Sequence, residues 1–177
     1  SNWCRTCWAT ASSVSTFPAT SKTVISLSLI SSSCRAILPT TFSLLHATDF
    51  ADRYERQLVP LLRAGYLVIC DRSFYTAFAR DVVRGCPPDW VRGIYDFALH
   101  PNLTLFFCAR LDVSLNRIRS DRLEPKYFEA GMDLRLSTDP RESFGLFQDR
   151  LLEQYLAMST EFGFRVIDAE KSIEAQQ

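Results

Sequence analysis

The pattern of apolar and polar positions divides this chain into short continuous apolar runs and longer amphipathic stretches. The run Tyr66-Leu67-Val68-Ile69-Cys70 follows Gly65 and leads into Asp71-Arg72-Ser73. An apolar run of this length with a Val-Ile centre predicts a short strand buried on both faces, as inside a parallel sheet. Leu103-Thr104-Leu105-Phe106-Phe107-Cys108 and Phe164-Arg165-Val166-Ile167-Asp168 predict two more strands. Between these runs the period changes to three and four. A long helix is predicted from Pro39-Thr40-Thr41 to about Ala64, with Thr40 or Thr41 as its cap and Gly65 as its stop. Leu45, Tyr54, Leu58, Leu61 and Leu62 supply its apolar stripe, while Asp49 with Arg53 and Asp52 with Arg56 support its exposed face. Residues 74–84 and 89–99 read as helices separated by Gly85-Cys86-Pro87-Pro88, the second with Trp90, Ile94 and Phe97 on one side. Residues 111–119 read as another. Asp139-Pro140-Arg141-Glu142 is a helix start, with Asp as cap, Pro at the first position and Glu at the third. Phe144, Phe147, Leu151, Tyr155, Met158 and Phe162 then recur on one face, which marks a core stripe, and Gly163 ends the helix. Strands alternating with helices of these lengths predict an α/β fold with a parallel sheet.

Composition changes this picture at one place. Residues 1–48 contain no Asp, no Glu and no Gly; the first acid is Asp49 and the first glycine Gly65. The chain therefore divides into an atypical Ser/Thr-rich segment, 1–38, and an organised domain, 39–177. A disordered tail, a fused irregular segment and a stretch read in the wrong frame of its gene all fit the first part. Within it, residues 23–30 alternate weakly as a strand. Cys4-Arg5-Thr6-Cys7 has redox-dithiol spacing but lacks the preceding strand that would set it at a helix N-terminus, and no second pair completes a zinc site. At 177 residues, 47% hydrophobic and 23% charged, the whole is ordinary for a globular protein. Its formal net charge of zero gives no global field to draw a nucleic-acid polymer or an anionic membrane. No apolar run approaches the roughly 20 residues needed to span a bilayer. The six cysteines show no disulfide framework, so reduced thiols and a cytoplasmic location are expected.

Two places carry candidate chemistry. Asp71 and Arg72 stand just past the carboxyl end of a predicted strand, the edge where open α/β sheets bind ligands. An Asp there can hold hydrated Mg²⁺ and an Arg can grip a phosphate with paired hydrogen bonds; equally, the Asp could cap the next helix with the Arg paired to it. Arg117, Arg119 and Arg122, interleaved with Asp121 and Glu124, form a basic cluster that is either a solvated helix end or a cationic lid over phosphates.

From about Pro39 onward the chain resembles the thymidylate kinases, members of the P-loop nucleoside monophosphate kinases. The likeness is carried by Leu44-Leu45-His46-Ala47-Thr48-Asp49 with Pro60-Leu61-Leu62 and Gly65, by Val68-Ile69-Cys70-Asp71-Arg72, and by Asn102-Leu103-Thr104-Leu105-Phe106 with Leu115, Arg117 and Ile118. Asp121-Arg122-Leu123-Glu124 resembles the family's lid, and Val166-Ile167-Asp168-Ala169 with Ser172-Ile173-Glu174 its terminal strand and last helix. The resemblance implies a three-layer parallel sheet flanked by helices, with the first strand and phosphate loop missing or altered. It implies transfer of the ATP γ-phosphoryl group, with Mg²⁺, to dTMP or a related deoxynucleotide. By position, Asp71 would sit near the metal and acceptor phosphate, Arg72 would hold that phosphate, and Arg117 and Arg122 would approach the ATP phosphates, with Arg119 and Glu124 beside them. His46 stands where an aromatic ring stacks on thymine, and Phe50 where a base-contacting Arg is expected, with Arg53 a substitute one turn on. Asp81 falls where a Gln would read the base, and could accept a hydrogen bond from an exocyclic amine. Ser73 replaces the Tyr after Asp-Arg, and Cys108 replaces an Asp. The family is commonly dimeric, and the 41–64 helix could serve as the interface.

One departure bears on activity. The motif G-x-x-x-x-G-K-[ST] is absent, since no glycine precedes Gly65 and Lys22 is the only lysine before it. Without those backbone N–H groups and that lysine the donor phosphates have no cradle. Two readings follow: a thymidylate-kinase-like phosphotransferase impaired as written, or a non-catalytic nucleotide-binding or structural domain derived from the fold.

Overall fold

The structure, a computed structural model, describes residues 9–11, 38–121 and 125–171, with side chains from 38–116 and 125–171. The Cys4–Cys7 motif, the 23–30 strand, Arg122, Glu124 and residues 172–174 lie outside the described residues, as do the side chains of Arg117 and Arg119. The chain forms two compact units, one of residues 12–100 and the other of residues 1–11 with 101–177. Among the described residues no helix is long and apolar enough to cross a membrane.

In the 12–100 unit, α1 (Pro39–Arg53) continues through a π-helical turn (Tyr54–Leu58) into α2 (Val59–Arg63). The cap expected at Thr40 or Thr41 is instead Leu38, with Pro39 in the first turn and no side-chain cap bond. Proline's fixed φ suits that turn and its missing N–H is not needed there, so the cap falls two or three residues early. The π turn has a local cause. Pro60 lacks an N–H and its ring crowds the carbonyl four residues back, so an α register cannot run through it. The Val59 N–H bonds to the carbonyl of Tyr54, five residues back, which absorbs the mismatch. Gly65, at φ 79°, closes the helix with the paired bonds of a Schellman motif, Tyr66 N–H to Leu61 O and Gly65 N–H to Leu62 O, both 3.0 Å.

The expected strand from Tyr66 to Cys70 is shorter and less covered than its apolar run suggests. Only Ile69–Cys70 (β2) is extended in a ladder; Val68 is buried, whereas Tyr66, Leu67 and Ile69 are exposed. Successive side chains point to opposite faces, so the run packs on one face only. After it come α3 (Tyr75–Val83) and α4 (Pro88–Ile94). α4 ends five residues before its expected limit of Leu99, and the buried positions are Val91, Tyr95 and Ala98 rather than Trp90, Ile94 and Phe97. The earlier start at Pro88 and the turn that follows rotate the buried face by one residue.

In the other unit, β3 (Thr104–Cys108) pairs in parallel with β4 (Arg165–Asp168), Phe106 opposite Val166. The short β1 (Ala9–Ala11) pairs antiparallel with β3, Ala9 opposite Leu105, so this sheet is mixed rather than wholly parallel. α5 (Leu111–Asp121) and α6 (Pro140–Glu161) accompany it. The start of α6 is as its sequence implies: Asp139 accepts from the Arg141 N–H at 2.9 Å and Pro140 occupies the first turn. Glu142, though, accepts from Ser137 Oγ at 2.5 Å instead of closing a capping box. Phe144, Phe147, Tyr155 and Met158 are buried, and Tyr155 meets fully buried Phe106 with ring centroids 5.8 Å apart.

Candidate functional site

The 12–100 unit holds the described candidate residues, and they fall into two groups. The first is the turn from β2 into α3. Asp71 and Arg72 are exposed, and among the described residues neither side chain makes a hydrogen bond or ion pair. The reading in which Asp71 caps the next helix is therefore not the one found: the residue before α3 is Phe74, and it is Ser73 Oγ that accepts the Tyr75 N–H, at 3.4 Å. Arg72 has φ 70°, the left-handed region where a side chain is strained. The chain turns sharply there and sets the carboxylate and guanidinium at the carboxyl end of the strand.

The second group lies between α1 and α3. Asp81 is fully buried. Its Oδ1 accepts from Arg80 Nε at 2.6 Å, and its Oδ2 accepts from Ser43 Oγ at 2.7 Å and Arg80 Nη2 at 3.1 Å. A carboxylate out of water must find such partners, and the guanidinium of the preceding residue supplies two of them. Phe42, one residue before Ser43, carries the Arg84 guanidinium 4.6 Å and the Arg80 guanidinium 5.0 Å from its ring centroid. Its ring also meets His46 at 4.5 Å. Burial, then the Arg80 charge, lowers the His46 pKa from 6.5 to about 4, with Arg84 and Arg53 adding to the effect and Asp81 opposing it. His46 is therefore an uncharged ring at neutral pH.

Phe50, one turn further along α1, is surrounded by rings: Tyr95 at 5.3 Å, Tyr54 at 5.8 Å, Phe97 at 6.1 Å and Phe74 at 6.3 Å. Tyr54 Oη accepts the Leu99 N–H at 2.8 Å, which ties the π turn to the segment after α4. Tyr95 is buried, and that burial raises its pKa to about 12, with the Arg80 charge working in the opposite direction. Arg53 is exposed and pairs with Asp49 Oδ2 at 2.5 Å, so its guanidinium is committed along its own helix. The described thiols of Cys70, Cys86 and Cys108 are free, and burial raises the pKa of each.

The structure thus brings His46 and Asp81 into one cluster, places Phe50 in an adjoining aromatic group, and sets Asp71-Arg72 on the turn before α3. Phe42, Ser43, Arg80, Arg84 and Tyr95 were not singled out from the sequence. The available signals were local ones: Arg80 next to Asp81, Arg80 and Arg84 four apart, and Phe42 four before His46.

Residues 11–177 match the family model described as thymidylate kinase, and the chain belongs to that family. It is 44% identical over 138 residues to the "Probable thymidylate kinase 2" of Saccharolobus solfataricus, covering 77% of this chain and 65% of that protein. It is 30% identical over 136 residues to the "Probable thymidylate kinase" of Pyrobaculum aerophilum (77% of this chain, 63% of the relative). For the protein of the same name from Thermococcus kodakarensis the identity is 27% over 133 residues, with 75% and 58% covered. The chain spans no more than 65% of the length of these curated relatives.

Proposed function

We propose that this chain is a nucleoside monophosphate kinase-like domain that binds dTMP or a related deoxynucleotide as phosphoryl acceptor, in the three-layer arrangement of P-loop kinases. The observation that carries the reading is Arg72, held at φ 70° beside exposed Asp71 at the end of β2, in a chain of this family. A non-glycine residue in that region costs on the order of 1–3 kcal/mol and persists where the surrounding fold requires its position. Arg72 would grip the acceptor phosphate in a fork of two N–H bonds, and His46 would stack on the base as a neutral ring.

Among the described residues no group of three or more His, Cys, Asp or Glu could hold a metal ion. Mg²⁺ in a kinase keeps several waters and takes one or two carboxylates plus substrate phosphates. Asp71 would be that carboxylate, and the ion would neutralise charge on the transferred group. In the transfer an acceptor phosphate oxygen forms a bond to the γ-phosphorus as the bond to the β–γ bridging oxygen breaks and ADP leaves with the electron pair. The protein's part is positioning and charge stabilisation. Arg117, Arg119, Arg122 and Glu124 would serve the ATP side. Since G-x-x-x-x-G-K-[ST] occurs nowhere in these 177 residues, transfer by the chain as written is weak. That same absence favours the second reading, a nucleotide-binding domain without turnover. A homodimer through the 41–64 helix is supported by the exposure of Leu44 on it.

Incubation of the chain with γ-labelled ATP, Mg²⁺ and dTMP tests the reading. Slow formation of labelled dTDP that falls roughly 100-fold in Arg72→Ala is expected. Saturable dTMP binding with no labelled product would favour the second reading, and no nucleotide binding would reject both.

A further inference from the structure

We infer that Arg135 is a polyphosphate-binding residue, presented by the turn that follows the basic segment and packs on α5. The inference rests on the assignment of residues 117–124 to the ATP side given above, and adds to it an arginine outside that segment. Among the described residues, the non-glycine positions with a left-handed backbone are Arg72 at φ 70° and Arg135 at φ 53°. Both are exposed arginines whose side chains make no hydrogen bond or ion pair among the described residues. A side chain in that region is strained, and glycine would remove the strain. Acids close by in sequence do not take the Arg135 guanidinium. Glu129 accepts from the Lys126 N–H at 3.3 Å, Asp139 from the Arg141 N–H at 2.9 Å and Glu142 from Ser137 Oγ at 2.5 Å.

The turn that carries Arg135 is closely held. Met132–Leu134 form a single 3₁₀ turn between Gly131, at φ 63°, and Arg135. The Met132 N–H bonds to Tyr127 O at 3.1 Å, the Leu134 N–H to Gly131 O at 2.9 Å and the Arg135 N–H to Met132 O at 3.2 Å. Ser143 Oγ of α6 donates to Ala130 O at 2.7 Å, and Met132 packs with Leu115 of α5 against buried Ala130 and Phe144. Leu115 stands two residues before Arg117, so the turn lies against the helix that leads into the basic segment. An arginine on such a turn has a fixed backbone and an uncommitted head. The guanidinium offers five N–H donors and no acceptor, in a planar fork that matches phosphoryl oxygens. A fork without a carboxylate, next to a segment with three more arginines, suits an anion of several charges. A nucleotide's triphosphate and free polyphosphate share that chemistry.

Calorimetric titration of the full chain, with thermal melting of the same samples, tests the inference. The ligands are MgATP, inorganic tripolyphosphate and adenosine, which has no phosphate. Arg135→Gly should weaken MgATP and tripolyphosphate at least about tenfold, the loss of a charge-assisted hydrogen-bonded pair, and leave adenosine unchanged. Its melting temperature should equal or exceed that of wild type, because the strain is gone. Arg150→Gln removes the same charge from an exposed position of α6 and should change polyphosphate binding by less than about twofold. A loss for tripolyphosphate alone would support the site and identify free polyphosphate as its ligand. Unchanged polyphosphate binding in Arg135→Gly would overturn the inference, as would an equal loss in Arg150→Gln. A lower melting temperature with binding lost would mean a structural role and overturn it too. In each of these cases MgATP binding by wild type leaves the ATP-side assignment standing. Absence of both MgATP and tripolyphosphate binding by wild type rejects the inference and that assignment together.

Discussion

Burial, reinforced by the Arg80, Arg84 and Arg53 charges, holds His46 to a pKa of about 4 in the folded protein, against an ordinary 6.5. Because the folded pKa is the lower one, the unfolded chain binds the extra proton between these values, and stability rises with pH there. The contribution is fully present above pH 6.5 and is lost as pH falls toward 4, a change on the order of 3 kcal/mol. Urea unfolding of His46→Gln across this window should show a shallower pH slope than wild type; equal slopes would mean that His46 is not the group responsible. Arg72 gives a second test. Arg72→Gly removes the left-handed strain, so its melting temperature should equal or exceed wild type while nucleotide binding weakens at least tenfold. A lower melting temperature with binding intact would show that Arg72 serves the fold. At this scale Asp71 and Arg72 were legible, because a short apolar run followed by a charged pair marks a strand end. Asp81 was legible as a residue of interest but not in its role. Burial on a helix depends on which neighbour covers it, and neither Ser43 nor Phe42 announces that from its own position.

Among the elements, the helix from Pro39 and the helix from Pro140 were the easiest to read, since each has proline at its start, a regular stripe and a glycine after its end. The interruption at Tyr54–Leu58 was not read, although Pro60 supplied the reason for it. β2 was misjudged because an apolar run shows affinity for a sheet but not how many of its faces are covered. β1 went unseen, as three small or polar residues carry no period. One turn in the 101–177 region offers a direct packing test. Gly131 sits at φ 63°, and a Cβ there would lie 2.8 Å from Cγ of buried Phe147. The adjoining Ala130 carbonyl accepts from buried Ser143 Oγ at 2.7 Å, so the turn cannot move away freely. Gly131→Ala should therefore cost about 2–3 kcal/mol, from overpacking and backbone strain together, measurable as a shift in urea midpoint. A neutral result would mean that the Phe147 ring yields without cost.

For the molecule as a whole, the α/β class followed from the alternation of strands and helices, and the family from motifs spread in order along residues 39–174. The residues proposed for the acceptor side lie in the 12–100 unit, while the basic segment proposed for the ATP side belongs to the other. A chain of this family that contains no phosphate-loop motif should bind its acceptor nucleotide better than it phosphorylates it. The most direct test is a calorimetric titration of the 177-residue chain with dTMP, beside the same titration of Arg72→Ala. Saturable binding to one site per chain, lost or weakened at least tenfold in the variant, is the predicted result. No binding by wild type, or binding that Arg72→Ala leaves unchanged, would contradict an acceptor site at the end of β2.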